Sequence, residues 1–338
     1  MLEIFQTWYE NPQEYVRAWK ERTGGKVLGV FGAWAPEEML AAAGLLSFPI
    51  GFSRPRTALS YDFLDGVIGP AGDQRLNGLS ATVSYRYVLA PLSDRRNPSG
   101  LSSRAAQLAD FQKSLEDWTG RKITAGDLDQ GIAVMNTHRR LLRSVWEIRK
   151  KIPPPLTGLE ALYLAGSGQW VDRREFNRVL GDNLEKELPN RRIPGGSRIR
   201  LLLAGDGARN AAWLSLVESL EGVVVIDDRD WSGPYCWDEV LPGEDRLAAI
   251  AARYLEQPGP EKPERARALA RDWRAQGALI LQGPGGPDPG EDLPALRQAL
   301  DGVGVPSLVL EAYDEAAPGS LKIRVEAFLE TLRPEDLF

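Results

Sequence analysis

The stretch KVLGVFGAWAPEEMLAAAGLLSFPIGF, Lys26 to Phe52, decides the fold. Its opening, Lys26 to Gly32, is a short apolar run with β-branched residues that closes on glycine, the pattern of a buried strand. Pro36 then stands at a first helical position. Glu37 and Glu38 follow where carboxylates meet the positive end of a helix dipole, and alanines continue the helix. SFPIGF predicts a second strand. Strand, turn, helix and strand are the opening of a βαβ unit. Working outward, DGVIGP (Asp65 to Pro70) and RYVLAPL (Arg86 to Leu92) predict a third and a fourth strand, and alternation with helical segments favours a parallel sheet. Upstream, Ile4 to Glu21 has amphipathic helical spacing, interrupted or restarted at Asn11-Pro12.

From Leu101 to about Glu187 the period is helical throughout. Thr124, with Asp127 three residues on, predicts a capped helix start, and Pro153 predicts the end of that long helix. From Arg198 the strand–helix alternation returns with RIRLLLAGDG, AAWLSLVESL and GVVVIDD. Helices are expected at Glu244 to Gln257 and Glu264 to Gln276, then GALILQ as a strand, LPALRQAL as a helix, VPSLVLEA as a strand and a final helix. The expected fold is therefore α/β: two Rossmann-like lobes with small parallel sheets, joined by a helical segment. Residues 1–100 hold the N-terminal helix and first lobe, 101–195 the helical segment, and 196–338 the second lobe.

At 338 residues the chain can bury two cores, and its 43% hydrophobic and 26% charged content is that of an ordinary globular protein. A net charge of −6 gives no electrostatic footprint for nucleic acid. No apolar run is long enough to span a bilayer, and MLEIFQTWYENPQEY lacks a basic signal-peptide region, so no membrane association is expected and the cytoplasm is the expected location. One cysteine, Cys236, excludes an intramolecular disulfide. Ten tryptophans point to core or interface positions.

Four segments together resemble the 2-hydroxyacyl-CoA dehydratase and benzoyl-CoA reductase subunit family, of the D-component type. They are APEEMLAAAGLLSFPI (Ala35 to Ile50), DGVIGPAGDQRLNGL (Asp65 to Leu79), TGRKITAGDLDQGIAVMNTHRRLL (Thr119 to Leu142), and the run from RIRLLLAGDG through VVVIDDRDWSG to VPSLVLEAYDE. The resemblance implies two α/β lobes, a homologous partner subunit and an acyl-CoA ligand. It also implies a cysteine-ligated 4Fe–4S cluster that takes one electron from an ATP-dependent activator and passes it to the thioester. The family's three cysteines correspond here to Gly32 or Ala33, to Gly72 directly before Asp73, and to Gly286 or Pro287. Glycine, alanine and proline offer no ligand atom, and thiolates hold such clusters. The expectation is that this chain carries no metal and no cofactor of its own, and that any 4Fe–4S cluster sits in a cysteine-bearing partner.

Candidate ligand-binding residues follow from the same segments; the catalytic residues, if any, are unknown. Trp34, on the turn before Pro36, either fills space where a cluster would sit or stacks on an acyl group. Asp73 and Arg75 follow a strand and either pair or meet a ligand. Gly205 and Gly207, in GDGARN, open a helix where backbone N–H groups can receive a phosphate, or make a plain tight turn. Asp227 and Asp228 end a strand at the edge where open α/β sheets hold ligands. His138 reads as a solvent-facing helix residue, and Arg139, Arg140, Arg143, Arg149, Lys150 and Lys151 as a solvated face. WSGPYCW (Trp231 to Trp237) is either a subunit interface or part of the second lobe's own core. Three functions compete: a non-redox partner subunit in an acyl-CoA-processing heteromer; a stand-alone or homodimeric binding or regulatory protein with a small ligand between its lobes; and a repurposed lyase or hydrolase using Asp73, Asp227 or Asp228.

Overall fold

Strand β1 (Val27–Phe31) is buried along its whole length and pairs on one side with β2 (Leu46–Ile50) and on the other with β3 (Gly66–Pro70). The computed structural model describes residues 2–31, 35–50, 61–70, 83–89, 99–193, 198–205, 211–229, 233–255, 262–282, 292–311 and 318–333. With β4 (Tyr85–Leu89) the first sheet has the order β2-β1-β3-β4, and all its pairings are parallel. The second sheet repeats this plan as β6-β5-β7-β8, from β5 (Ile199–Gly205), β6 (Gly222–Asp227), β7 (Gly277–Gln282) and β8 (Ser307–Glu311). In each sheet the chain runs from a central strand to one neighbour and then crosses back. The topological switch points therefore lie between β1 and β3 and between β5 and β7. This is the expected α/β class with two Rossmann-like sheets.

The helices largely follow the sequence signals. α1 (Glu3–Glu10) and α2 (Pro12–Thr23) divide at Asn11, because Pro12 suits a first helical turn. Pro36 differs from expectation: it is the N-cap of the short α3 (Glu37–Ala42) rather than its first residue. α4 (Ser99–Thr119) leads to α5 (Ala125–Ile148), which opens on the Thr124–Asp127 capping box. α6 (Gly158–Ser167) and α7 (Arg173–Lys186, capped by Asp172) complete the helical segment. The second half carries α8 (Ala211–Ser219), α9 (Gly233–Trp237), α10 (Arg246–Leu255), α11 (Lys262–Asp272), α12 (Leu293–Asp301) and α13 (Pro318–Leu332). The short α9 has no counterpart among the expected helices. No helix among the described residues is long and apolar enough to cross a membrane.

One core joins inner faces of both sheets. Phe31, Phe48 and Val67 of the first belong to the same buried cluster as Leu202, Val225 and Ile280 of the second, with Trp146, Phe176 and Trp273. A second core covers the other face of the first sheet, where Leu28, Val30 and Ile68 meet Met39, Phe111 and Leu115. That core also takes in Val240, Ile250 and Ala251, from the connection between β6 and β7. Trp237 packs edge-on against Trp273, with ring centroids 6.0 Å apart, which makes it an intrachain contact. Trp231 lies outside the described residues.

The expected solvated face of α5 is a correction. His138, Arg139 and Arg149 are all buried, while Arg140 is exposed. The reason is packing on several sides: α3, α7 and α9 lie against α5, and Arg149, at its C-cap, donates to the Val224 carbonyl of β6.

Candidate functional site

The loops that carry most sequence candidates leave the carboxyl ends of the strands at the two switch points. Residues 32–34 follow β1 and residues 71–82 follow β3, and these strands are hydrogen-bonded neighbours. Residues 206–210 follow β5 and residues 283–291 follow β7, again neighbours. Gly32, Ala33, Trp34, Gly72, Asp73, Arg75, Gly207, Gly286 and Pro287 all fall in these loops and lie outside the described residues. The three positions matched to cluster cysteines thus belong to the connections after β1, β3 and β7.

Gly205 closes β5 at φ 93°, where a side chain would be strained, and a Cβ there would collide with the Leu281 backbone. The glycine lets β5 and β7 stay close at their carboxyl ends. Asp227 and Asp228 at the end of β6 have separate partners. Asp227 accepts from Arg229 Nε (2.9 Å) and Nη2 (2.6 Å) in a fork within two residues. Asp228 Oδ1 accepts from Arg265 Nε at 2.6 Å, and its Oδ2 has no hydrogen-bond partner among the described residues. Burial pushes the Asp228 carboxyl up, against Arg265, to about 6.

The strongest electrostatic feature has no counterpart among the sequence candidates. Glu37 and Glu38, directly after the β1 loop, are the acid half of a buried network. Arg139 donates to Glu38 Oε1 at 2.5 Å, with both side chains fully buried, and to Asn136 Oδ1 at 3.1 Å. Tyr254 donates to Glu38 Oε2 at 3.0 Å. Arg173 donates to Glu37 Oε1 at 2.7 Å, and the Tyr235 hydroxyl donates to Glu37 Oε2. Burial alone would raise the Glu37 carboxyl, yet Arg173, the Tyr235 hydrogen bond and Arg139 outweigh it and hold it below its ordinary value. Burial raises the Tyr235 hydroxyl, with Glu37 acting in the same direction. Gly131 makes the contact between α3 and α5 geometrically possible, since a Cβ there would run into the Glu38 carbonyl. His138 is beside this network: Nδ1 meets Asn177 Oδ1 at 3.0 Å, and burial holds the imidazole well below its ordinary value.

The donor set does not fit a thiolate-held cluster. The chain has one cysteine, and Cys236 is fully buried within the core, its thiol pushed up by burial to about 12. Among the described residues no three His, Cys, Asp or Glu side chains are placed to hold a metal ion.

Comparison with known proteins adds an independent finding. The profile of the 2-hydroxyglutaryl-CoA dehydratase D-component matches residues 33–332. The (R)-phenyllactyl-CoA dehydratase beta subunit of Clostridium sporogenes is 24% identical, over 97% of each chain. A benzoyl-CoA reductase subunit of Thauera aromatica is 25% identical over 63% of each chain. The lactoyl-CoA dehydratase beta subunit of Anaerotignum propionicum is 22% identical over 95% of this chain and 96% of its own.

Proposed function

Because the chain belongs to the 2-hydroxyglutaryl-CoA dehydratase D-component family, we propose that it is a subunit of an acyl-CoA-processing complex that carries no iron–sulfur cluster itself. Its partner is a homologous, cysteine-bearing subunit that supplies the 4Fe–4S cluster. One observation carries the reading: a family scaffold matched over nearly its whole length holds a single cysteine, and that cysteine lies in the core as a high-pKa thiol. A buried thiol of that kind is not a thiolate ligand, and one thiolate cannot hold a cluster.

The chain's contribution is then shape and binding. Trp34, Asp73 and Arg75 belong to the sequence that follows β1 and β3, and in this reading their aromatic plane and cation suit an acyl thioester and its anionic carrier. Gly205 and Gly207 serve the CoA phosphates at the second. Asp227 is held in the fork of Arg229, and Asp228, buried at the end of β6 and paired with Arg265, is the second acid at that sheet edge. The complex acts in the cytoplasm. The sequence segments 1–100, 101–195 and 196–338 serve as first lobe, helical segment and second lobe.

The test is co-expression with a cysteine-bearing homologue from the same host, followed by anaerobic sedimentation and iron analysis. The expected result is a heteromer whose iron is found in the homologue after the subunits are separated. A chain that sediments alone at every concentration, unaffected by the homologue, would favour a stand-alone binding protein instead.

A further inference from the structure

The connection between β6 and β7 does not stay on its own sheet. It leaves at Asp228, forms α9 and α10 against the helical segment and the first lobe, and returns at α11. Its apolar side chains Val240, Ile250 and Ala251 are fully buried in the first-lobe core with Leu28, Met39 and Phe111. Its polar side chains are fastened to the same lobe. Tyr235 of α9 donates to Glu37, and Tyr254 of α10 donates to Glu38 and accepts from the Glu37 backbone N–H at 3.1 Å. Between the helices, the Asn136 side-chain amide pairs with both backbone groups of Val240, at 2.9 and 3.0 Å. The base of the excursion is closed by the Asp228–Arg265 ion pair at 2.6 Å.

The geometry points to a clasp: residues 233–255 are an arm of the second lobe that locks onto the first, so that the two lobes move as one rigid body and never open as a hinge. Three observations converge. The arm carries buried apolar anchors, its tyrosines supply two of the partners of the half-buried Glu37 and the buried Glu38, and the inner faces of both sheets already share one core. Opening the arm would break both tyrosine hydrogen bonds to these carboxylates and expose Val240, Ile250 and Ala251 to water in the same step, so the two costs fall together. The Tyr235–Glu37 bond also ties the residues just after the β1 loop to the residues just after the β6 loop, which fixes the spacing of the two strand edges. This inference is independent of the acyl-CoA reading, since it holds whatever the ligand.

Hydrogen exchange followed by mass spectrometry, with scanning calorimetry of the whole chain, tests it. In the unaltered protein the hydrogen-bonded amides of α9 and α10 and that of Val240 are expected to exchange as slowly as those of β1, with one calorimetric transition. In the double variant Tyr235→Phe, Tyr254→Phe, amides of 233–255 and of 37–42 should accelerate together by roughly tenfold or more, the effect of two lost buried hydrogen bonds, while β6 and β7 keep their protection. Two calorimetric transitions in the unaltered chain, or an arm that exchanges freely while β1 stays protected, would overturn the clasp. So would a variant in which the arm accelerates together with β6 and β7 and residues 37–42 do not change. If the double variant does not fold, exchange in the unaltered protein decides alone.

Discussion

Arg139 stands four residues after Met135 and three before Leu142, in the stripe of α5 that also buries Gly131, Val145 and Trp146. A cation in that position needs an acid, and Glu38 reaches it across the gap that Gly131 leaves open. Glu38→Gln should therefore cost about 3–5 kcal/mol in denaturant unfolding, because it leaves the guanidinium buried and unpaired. Replacing both partners, Glu38→Leu with Arg139→Met, should recover most of that loss. His138 makes a second residue-scale prediction. Its imidazole is neutral in the folded protein, whereas the unfolded chain takes up a proton below about 6.5. The stability it contributes is thus full above about pH 6.5 and is lost as pH falls from there toward the folded value. Since it is the one histidine, its NMR imidazole signals should show no titration midpoint near the ordinary value of about 6.5 while the protein stays folded, and His138→Gln should flatten the acid side of the stability curve. In the sequence the run of basic neighbours outweighs the helical spacing and points both residues to solvent. Counting three and four residues from Met135 puts them on the buried stripe.

Elements are far more legible than the network that joins them. Each of the eight strands among the described residues is a local pattern: an apolar run such as GALILQ or GVVVIDD, bounded by turn residues, needs no distant partner to be recognised. The capping box at α5 is equally local, since Thr124 accepts from the Asp127 N–H while Asp127 Oδ2 accepts from the Thr124 N–H at 2.9 Å. Thr124→Ala should lower stability by about 1 kcal/mol without altering the fold, as read from the denaturation midpoint and the circular dichroism spectrum. The α9–α10 excursion is only partly legible in this way: α10 falls within the helix expected at Glu244 to Gln257, but α9 and the docking of the excursion do not show. GPYCW is too short for helical periodicity, and whether Val240 and Ile250 belong to the near sheet or the far one is a question of tertiary packing that no sequence window contains. The buried network shares that limit, because Tyr235 and Glu37 are separated by most of the chain.

At the scale of the whole molecule, the two sheets repeat one plan, and each places its central strands and their outgoing loops at a switch point. The family resemblance is legible from four segments and their order, and the match over residues 33–332 bears it out. The positions of the cluster cysteines are a different matter: they are matched by resemblance, and they lie in loops outside the described residues. What remains independent of that alignment is the composition itself, since no placement of the loops can create a thiolate that the chain does not contain. The most direct measurement is therefore iron content and absorbance after anaerobic reconstitution of the purified chain alone with iron and sulfide. A colourless, iron-free protein is the predicted result. About four iron atoms per chain, with the broad absorption near 400 nm of a thiolate-ligated cluster, would contradict it.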